Sequence, residues 1–270
     1  LLLTVGTSIA VATDLSKSVI QDKKLAELLI HMTCGCFSVI ISLIAIHFVY
    51  RFFAIERKGN LKYFNGKYLW FWFLIPVFYG IGLMWSNYLF FESNEMMTVV
   101  LRNYLQVDYN IAMDQIVYIG SDYFIDDAKT IFNFSIIPAI ATLTIIIATS
   151  FSVVIFFGLK IYKRINTLES EGISQHTKDL QKQLFKALVI QTCIPIFFLY
   201  LPFSIFLFLP MFKIQQDKVG QIVTVLYAIY PVIDPLPTIL IVDCYRNAVT
   251  ECVRGKNQVG VEMDQRNAEA

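Results

Sequence analysis

Asp234, in the run YPVIDPLPT (230–238), is the side chain whose type and surroundings most directly suggest chemistry. An ionisable group at the centre of a bilayer costs roughly 2.5–3.5 kcal/mol or more, so it persists where it has a partner and a task. Its expected place is the protein interior, bonded to a polar group or a bound ion. His47 and Arg51 lie one helical turn apart in HFVYRFFAI (47–55). Arg51 either snorkels its guanidinium to the interface or bonds different partners in two states. Enzyme chemistry has little to build on. There is no HExxH run, no pair of intramembrane aspartates and no nucleophile elbow. His31, His47 and His176 sit in different surroundings, and the five cysteines show no zinc spacing. The expectation is a protein that is not an enzyme, with no metal and no cofactor.

The elements that must position these residues are membrane-spanning helices. Apolar stretches at about 30–50, 68–91, 131–159, 187–212 and 219–242 are each long enough to cross a hydrocarbon core, and Asp234 is the single Asp, Glu, Lys or Arg in all five. Backbone in lipid must satisfy its own hydrogen bonds, so these stretches are helical. Hydrophobic residues form 56% of the 270, charged residues only 16%, and mean hydropathy is +0.59. A soluble domain averages about 25% charged, so a soluble enzyme and a nucleic-acid-binding domain are both excluded.

The net charge of +1 conceals a segregation. Gap 51–67 carries Arg51, Arg57, Lys58, Lys62 and Lys67 against Glu56. Gap 160–186 carries six basic residues, among them Lys163, Arg164 and Lys182, against three acids. Gap 92–130 reverses the balance, with seven acids against Arg102 and Lys129. Basic loops stay in the cytoplasm, so 51–67 and 160–186 face inward, 92–130 and 213–218 face outward, and the C-terminus is cytoplasmic.

Residues 1–12 (LLLTVGTSIAVA) are apolar but too short to span. They are expected to be the outer end of a helix; a mature start or a loop dipping into the interface is the alternative. In the outer loop, LRNYL (101–105) reads as helical. The helix of the third span continues through LKIYKRI, breaks near Ser170–Ser174 and resumes at Lys178. CYRNAVTECVR (244–254) is expected to lie along the membrane surface, its Cys244 and Cys252 either palmitoylated or free. Residues 1–254 would form the bundle and 255–270 a polar cytoplasmic tail.

All eight prolines fall in or beside the spans, six of them in the last two. Each removes a helical hydrogen bond and kinks its helix, which concentrates hinge potential at Pro195, Pro202 and Pro235. Trp70 and Trp72 suit the inner interface of the second span, and Trp85 and Tyr88 the outer.

TCGCF (33–37) followed by HFVYRFFAI (47–55) resembles the third helix of nematode seven-transmembrane chemoreceptors of the Str class. TKDLQKQLFKALVIQTCIP (177–195) with YLPFSI (200–205) resembles that family's sixth helix. YPVIDPLPT (230–238) with YRNAV (245–249) resembles its seventh, and NYLQVDYN (103–110) with VYIG (117–120) is similar to its second outer loop. The resemblance runs from about residue 30 to 250. It implies an all-α polytopic bundle, seven-transmembrane and GPCR-like, in which the five spans are helices three to seven. Helix one and most of helix two lie outside this chain.

The resemblance further implies an odorant-detecting G-protein-coupled receptor in the plasma membrane of a sensory cilium. Its partners would be a small-molecule odorant, a heterotrimeric G protein and membrane lipid. Candidate pocket residues are Phe37, Pro138, Tyr200, Phe203, Tyr227 and Tyr230. Arg51, Pro195, Pro202, Asp234 and Pro235 are candidate switch and hinge residues, and Tyr50, Arg51, Lys163, Arg164 and Lys182 a candidate G-protein face. By the same resemblance, Arg51 would occupy the place of the arginine in the rhodopsin-like Asp/Glu-Arg-Tyr motif. Tyr50 precedes it, so the usual acidic partner is missing. Two other readings stay open: a transporter or channel built on Asp234, and a non-functional remnant.

Overall fold

A computed structural model describes residues 2–56, 60–91, 95–109, 111, 113–126, 130–167, 175–214 and 218–253. Among the described residues, five helical stretches are long and apolar enough to cross a membrane: Lys23–Glu56, Tyr68–Phe90, Phe134–Thr167, Gln175–Met211 and Lys218–Ile241. Within them, α1 is Lys23–Glu56, α2 Tyr68–Phe90 and α4 Ile137–Thr167, with α3 (Glu95–Tyr109) in the outer loop between the last two. The fourth stretch is α5 (Gln175–Pro195) joined to α6 (Leu201–Met211), the fifth is α7 (Lys218–Ile233) joined to α8 (Leu236–Ile241), and α9 (Asp243–Val253) follows. The break placed near Ser170–Ser174 and the polar tail fall outside the described residues.

The prolines shape the last two stretches. Between Pro195 and Pro202, neither of which donates a backbone hydrogen bond, the helix widens into a π turn at Ile196–Tyr200. The fifth stretch interrupts at Asp234–Pro235 and resumes at Leu236. Asp234 N still donates to Tyr230 O at 3.0 Å.

The bundle is helical as expected, but its outer end adds a sheet, and residues 1–12 are not a helix end. β1 (Leu2–Val5) and β2 (Ser8–Asp14) form an antiparallel hairpin, and β2 pairs antiparallel with β3 (Ile116–Asp122). The physical reason is local. Gly6, at φ 63°, supplies the first residue of a two-residue hairpin turn. The flanking residues are β-branched or apolar, and their side chains alternate between two different packing surfaces. Leu2, Ile9 and Val11 face the bundle, whereas Leu3, Ala10 and Ala12 face α3. Strand β3 alternates the same way: Ile116 and Tyr118 meet α3, and Val117 and Ile119 meet Leu15, Ala26 and Ile30. Every residue of β3 is buried.

Helix α3 presents Met97, Leu101 and Leu105, spaced i, i+4, i+8 and all 0% exposed, to the upper face of the sheet. Because this module lies outside the hydrocarbon, the hydrophobic effect applies in full, at roughly 1.5–3 kcal/mol for each such side chain. Helix and sheet together close one end of the bundle. The module touches the N-terminal ends of α1 and α7 and the C-terminal end of α6, where Tyr123 Oη donates to Leu207 O at 2.6 Å. That end carries the acidic loop; the basic loops lie at the other.

Candidate functional site: an outer cavity and an inner set of polar ties

Beneath the sheet lies a cavity of about 220 Å³. Its roof is Leu2, Ile9, Val11 and Ile119; its walls come from α1 (Thr33, Cys34, Phe37), α2 (Leu83, Asn87), α4 (Ala139, Ile140, Leu143), α6 (Phe203, Phe206, Leu207) and α7 (Thr224, Tyr227). Sequence distance hides this convergence, because one helix contributes on average only one or two turns. The lining is overwhelmingly apolar, with its few polar groups at defined places. Asn87 lies beside the Cys34 thiol, and Thr224 Oγ1 accepts from Leu2 N at 3.0 Å, tying the roof to α7.

Aromatic rings form the floor. Phe37 packs edge-on to Tyr200 at 4.8 Å between centroids, tilted to Phe203 at 5.0 Å and stacked on Tyr227 at 6.0 Å. The hydroxyls of Tyr200 and Tyr227 are buried without a partner among the described residues. Buried polar groups are normally hydrogen-bonded, so these two phenols are available donors at the base of an apolar space.

Of the six expected pocket residues, Phe37, Phe203 and Tyr227 line the cavity. Tyr200 sits just behind Phe37. Tyr230 lies nearly one turn deeper and meets the Asp234 side chain. Pro138 is exposed at the start of α4, turned away from the cavity, while its neighbour Ala139 faces in. The residues not anticipated include Cys34, Asn87, Thr224 and the strand residues. The lone amide Asn87 in an aromatic span and Cys34 in TCGCF were signals available in the sequence; the roof was not, since it depends on pairing across more than a hundred residues.

At the cytoplasmic end, polar side chains of α5 hold its neighbours. Arg51 Nη2 donates to Gln181 Oε1 at 2.7 Å, joining α1 to α5. Arg51 therefore bonds across the bundle rather than only reaching for the interface. Its partner is a neutral amide, and its Nε is buried without a partner among the described residues. Arg51 is half-buried, and the lower local polarity strengthens the amide contact. Two residues on, Gln183 Nε2 donates to Asp243 Oδ2 at 2.7 Å and Gln183 Oε1 accepts from Asp243 N at 3.2 Å. Asp243 also pairs with Arg246. Nearer the C-terminal end of α5, Gln191 Nε2 reaches Asp234 O at 3.4 Å.

The remaining candidates are dispersed. Lys163 and Lys182 are exposed and Arg164 is half-buried. Tyr50 turns away from Arg51 to pack edge-on against Phe64 at 5.3 Å. Pro195 is buried at the start of the π turn, and Pro235 is exposed at the start of α8. Among the described residues, no group of three or more His, Cys, Asp or Glu is placed to hold a metal.

Five long apolar helices, an outer cavity closed by a small module and a basic inner face define a multi-pass membrane protein built like a receptor. The chain belongs to the serpentine type 7TM GPCR chemoreceptor Str family, whose family model matches residues 1–250. Among curated proteins it is 32% identical over 237 residues to "Serpentine receptor class r-10" of Caenorhabditis briggsae, covering 84% of this chain and 67% of that protein. It is 30% identical over 231 residues to the Caenorhabditis elegans protein of the same name, covering 83% and 66%. To "G-protein coupled receptor str-217" of Caenorhabditis elegans it is 32% identical over 227 residues, covering 82% and 64%. The chain thus spans about two thirds of the length of these relatives. No solved structure matches it.

Proposed function

We propose that this chain forms the ligand-binding and signal-transmitting part of an odorant receptor, with residues 1–254 as the bundle and 255–270 as a cytoplasmic tail. One observation carries the reading: the cavity beneath the sheet gathers side chains from five helical segments and the outer hairpin around one small apolar space. An apolar cavity of 150 Å³ accommodates benzene. A volume of about 220 Å³ therefore suits a volatile-sized molecule of fewer than about ten non-hydrogen atoms. Such a ligand would touch Phe37, Phe203 and Tyr227, with the Tyr200 hydroxyl reachable by a polar atom after small side-chain shifts.

Binding would bias a two-state bundle. The π turn between Pro195 and Pro202 and the break at Asp234–Pro235 are the natural hinges, because there the helical hydrogen-bond ladder is already incomplete. Movement of α5 away from Arg51 would open a cytoplasmic surface bordered by Tyr50, Arg51, Lys163, Arg164 and Lys182 to a heterotrimeric G protein. The plasma membrane of a sensory cilium is the site of action this reading implies.

Filling the cavity tests the reading. Leu143→Trp is expected to abolish responses to an odorant panel in receptor-expressing cells while surface labelling stays within about twofold of the parent, because the added ring occupies space that is otherwise open. Full responses from a normally delivered Leu143→Trp receptor would exclude this cavity as the binding site.

A further inference from the structure

A second concavity, of about 540 Å³, lies between α1, α2 and α4 in their cytoplasmic halves. Its inner surface is made by Ser42, Ala45, Val49 and Ser150, all buried, and its rim by Tyr63, Tyr68, Phe71 and Ile75, which are 42–66% exposed. With its rim exposed along the length of α2, the groove opens sideways from the bundle. Its long axis follows α2 from Tyr68 to Tyr79, where Tyr79 Oη and Thr149 Oγ1 meet at 3.2 Å and close the deep end. Eleven residues of helix rise about 17 Å, close to the roughly 15 Å depth of one leaflet's hydrocarbon. The groove thus has the length of one lipid chain and runs from the inner interface to the membrane midplane.

Charge marks the interfacial end. Lys62 and Lys67 flank the rim residues Tyr63 and Tyr68 and are exposed. Lys62 Nζ lies over the Tyr63 ring at 5.2 Å. On the opposite wall, Lys160 Nζ lies 4.3 Å from the centroid of Phe156 and 5.9 Å from that of Phe157, a groove residue. Trp72 forms part of the wall, fixed by its Nε1 donating to Tyr63 O at 2.9 Å and by stacking on Phe64 at 4.4 Å. An apolar slot one leaflet deep with ammonium groups on both sides of its mouth fits a single occupant chemistry.

We propose that this groove binds an anionic phospholipid of the cytoplasmic leaflet, its acyl chain lying between α1, α2 and α4 and its headgroup held by Lys62, Lys67 and Lys160. A neutral lipid would fill the slot but leave the lysines unengaged. Each lysine near the surface favours an anionic lipid about fivefold, so engagement of two or three gives a preference of at least about tenfold.

Trp72 reports occupancy directly. With Trp70→Phe and Trp85→Phe it is the sole tryptophan of the three in the chain. The protein is reconstituted in phosphatidylcholine vesicles containing rising fractions of dibrominated phosphatidylserine or dibrominated phosphatidylcholine. Half-maximal quenching is expected at a mole fraction at least about tenfold lower for the serine lipid. Adding Lys62→Gln, Lys67→Gln and Lys160→Gln should merge the two curves. Superimposed curves in the parent, a preference that survives neutralisation, or tighter quenching by a dibrominated sterol would each overturn the proposal. Native mass spectrometry of the unsubstituted chain supplies the same comparison without tryptophan replacement: retained phosphatidylserine supports the site, and retention in proportion to bulk composition contradicts it.

Discussion

Gln181→Leu is expected to raise ligand-independent signalling by about tenfold or more. Gln181 Oε1 is the acceptor for Arg51 Nη2 at 2.7 Å, and this bond joins α1 to α5 at the cytoplasmic end. A hydrogen bond to a charged group contributes about 1.5–3 kcal/mol, and each 1.4 kcal/mol is a factor of about ten in a two-state equilibrium. Leucine keeps the volume of the side chain but leaves the guanidinium, whose Nε already lacks a partner among the described residues, without its acceptor. The closed arrangement loses the bond; an arrangement in which α5 has moved away and Arg51 reaches water or a partner protein loses nothing. The population therefore moves toward the open form. Gln181→Glu should act in the opposite direction by placing a carboxylate opposite Arg51. Second-messenger output per surface receptor, without odorant, measures both. Unchanged basal output from a normally delivered Gln181→Leu receptor would mean that the Arg51 tie does not hold the inactive form.

Gly120→Val is expected to destroy the outer module. A Cβ at Gly120 falls 2.5 Å from Ile9 O and 3.1 Å from Ala10 Cα, and closer still to the Met97 methyl group. The methionine can move, but the strand β2 backbone cannot without giving up its pairing with β3. Overpacking into yielding side chains typically costs about 1–3 kcal/mol, and here the obstacle is backbone, so the cost lies at the upper end or above. Because the same strands roof the cavity and seat α3, the damage spreads in both directions. Hydrogen exchange of the reconstituted protein should show loss of protection across 8–14 and 116–122, with the membrane-spanning part of α1 protected as before. Parental protection in both strands would show that the sheet does not depend on this close approach.

How far the architecture could be read from residues alone differs by element. The spanning helices were legible because lipid imposes one requirement on every residue of a span, and because Lys and Arg mark the inward loops. The helix at 95–109 was partly legible from LRNYL. The hairpin at 2–14 was not: an apolar run of twelve residues matches a helix end as well as a strand pair, and the deciding partner, β3, lies more than a hundred residues on. The same non-locality governs the site. Phe37, Phe203 and Tyr227 could be chosen as aromatics on the outer halves of the right helices. Pro138 could not be separated from Ala139, since a one-residue rotation decides which faces the cavity. Arg51 stood out by type, but its partner Gln181 is 130 positions away and carries no charge to advertise it.

Cys34 offers a direct probe of whether the cavity beneath the sheet is the ligand site. Cys34 lines that cavity, whereas Cys36, Cys193, Cys244 and Cys252 are exposed. With those four replaced by serine, Cys34 is the sole thiol, and its modification by a small uncharged methanethiosulfonate can be timed with and without an activating odorant. The odorant is expected to slow modification of Cys34 at the concentrations that activate the receptor. Modification at the same rate with and without an activating odorant would contradict it.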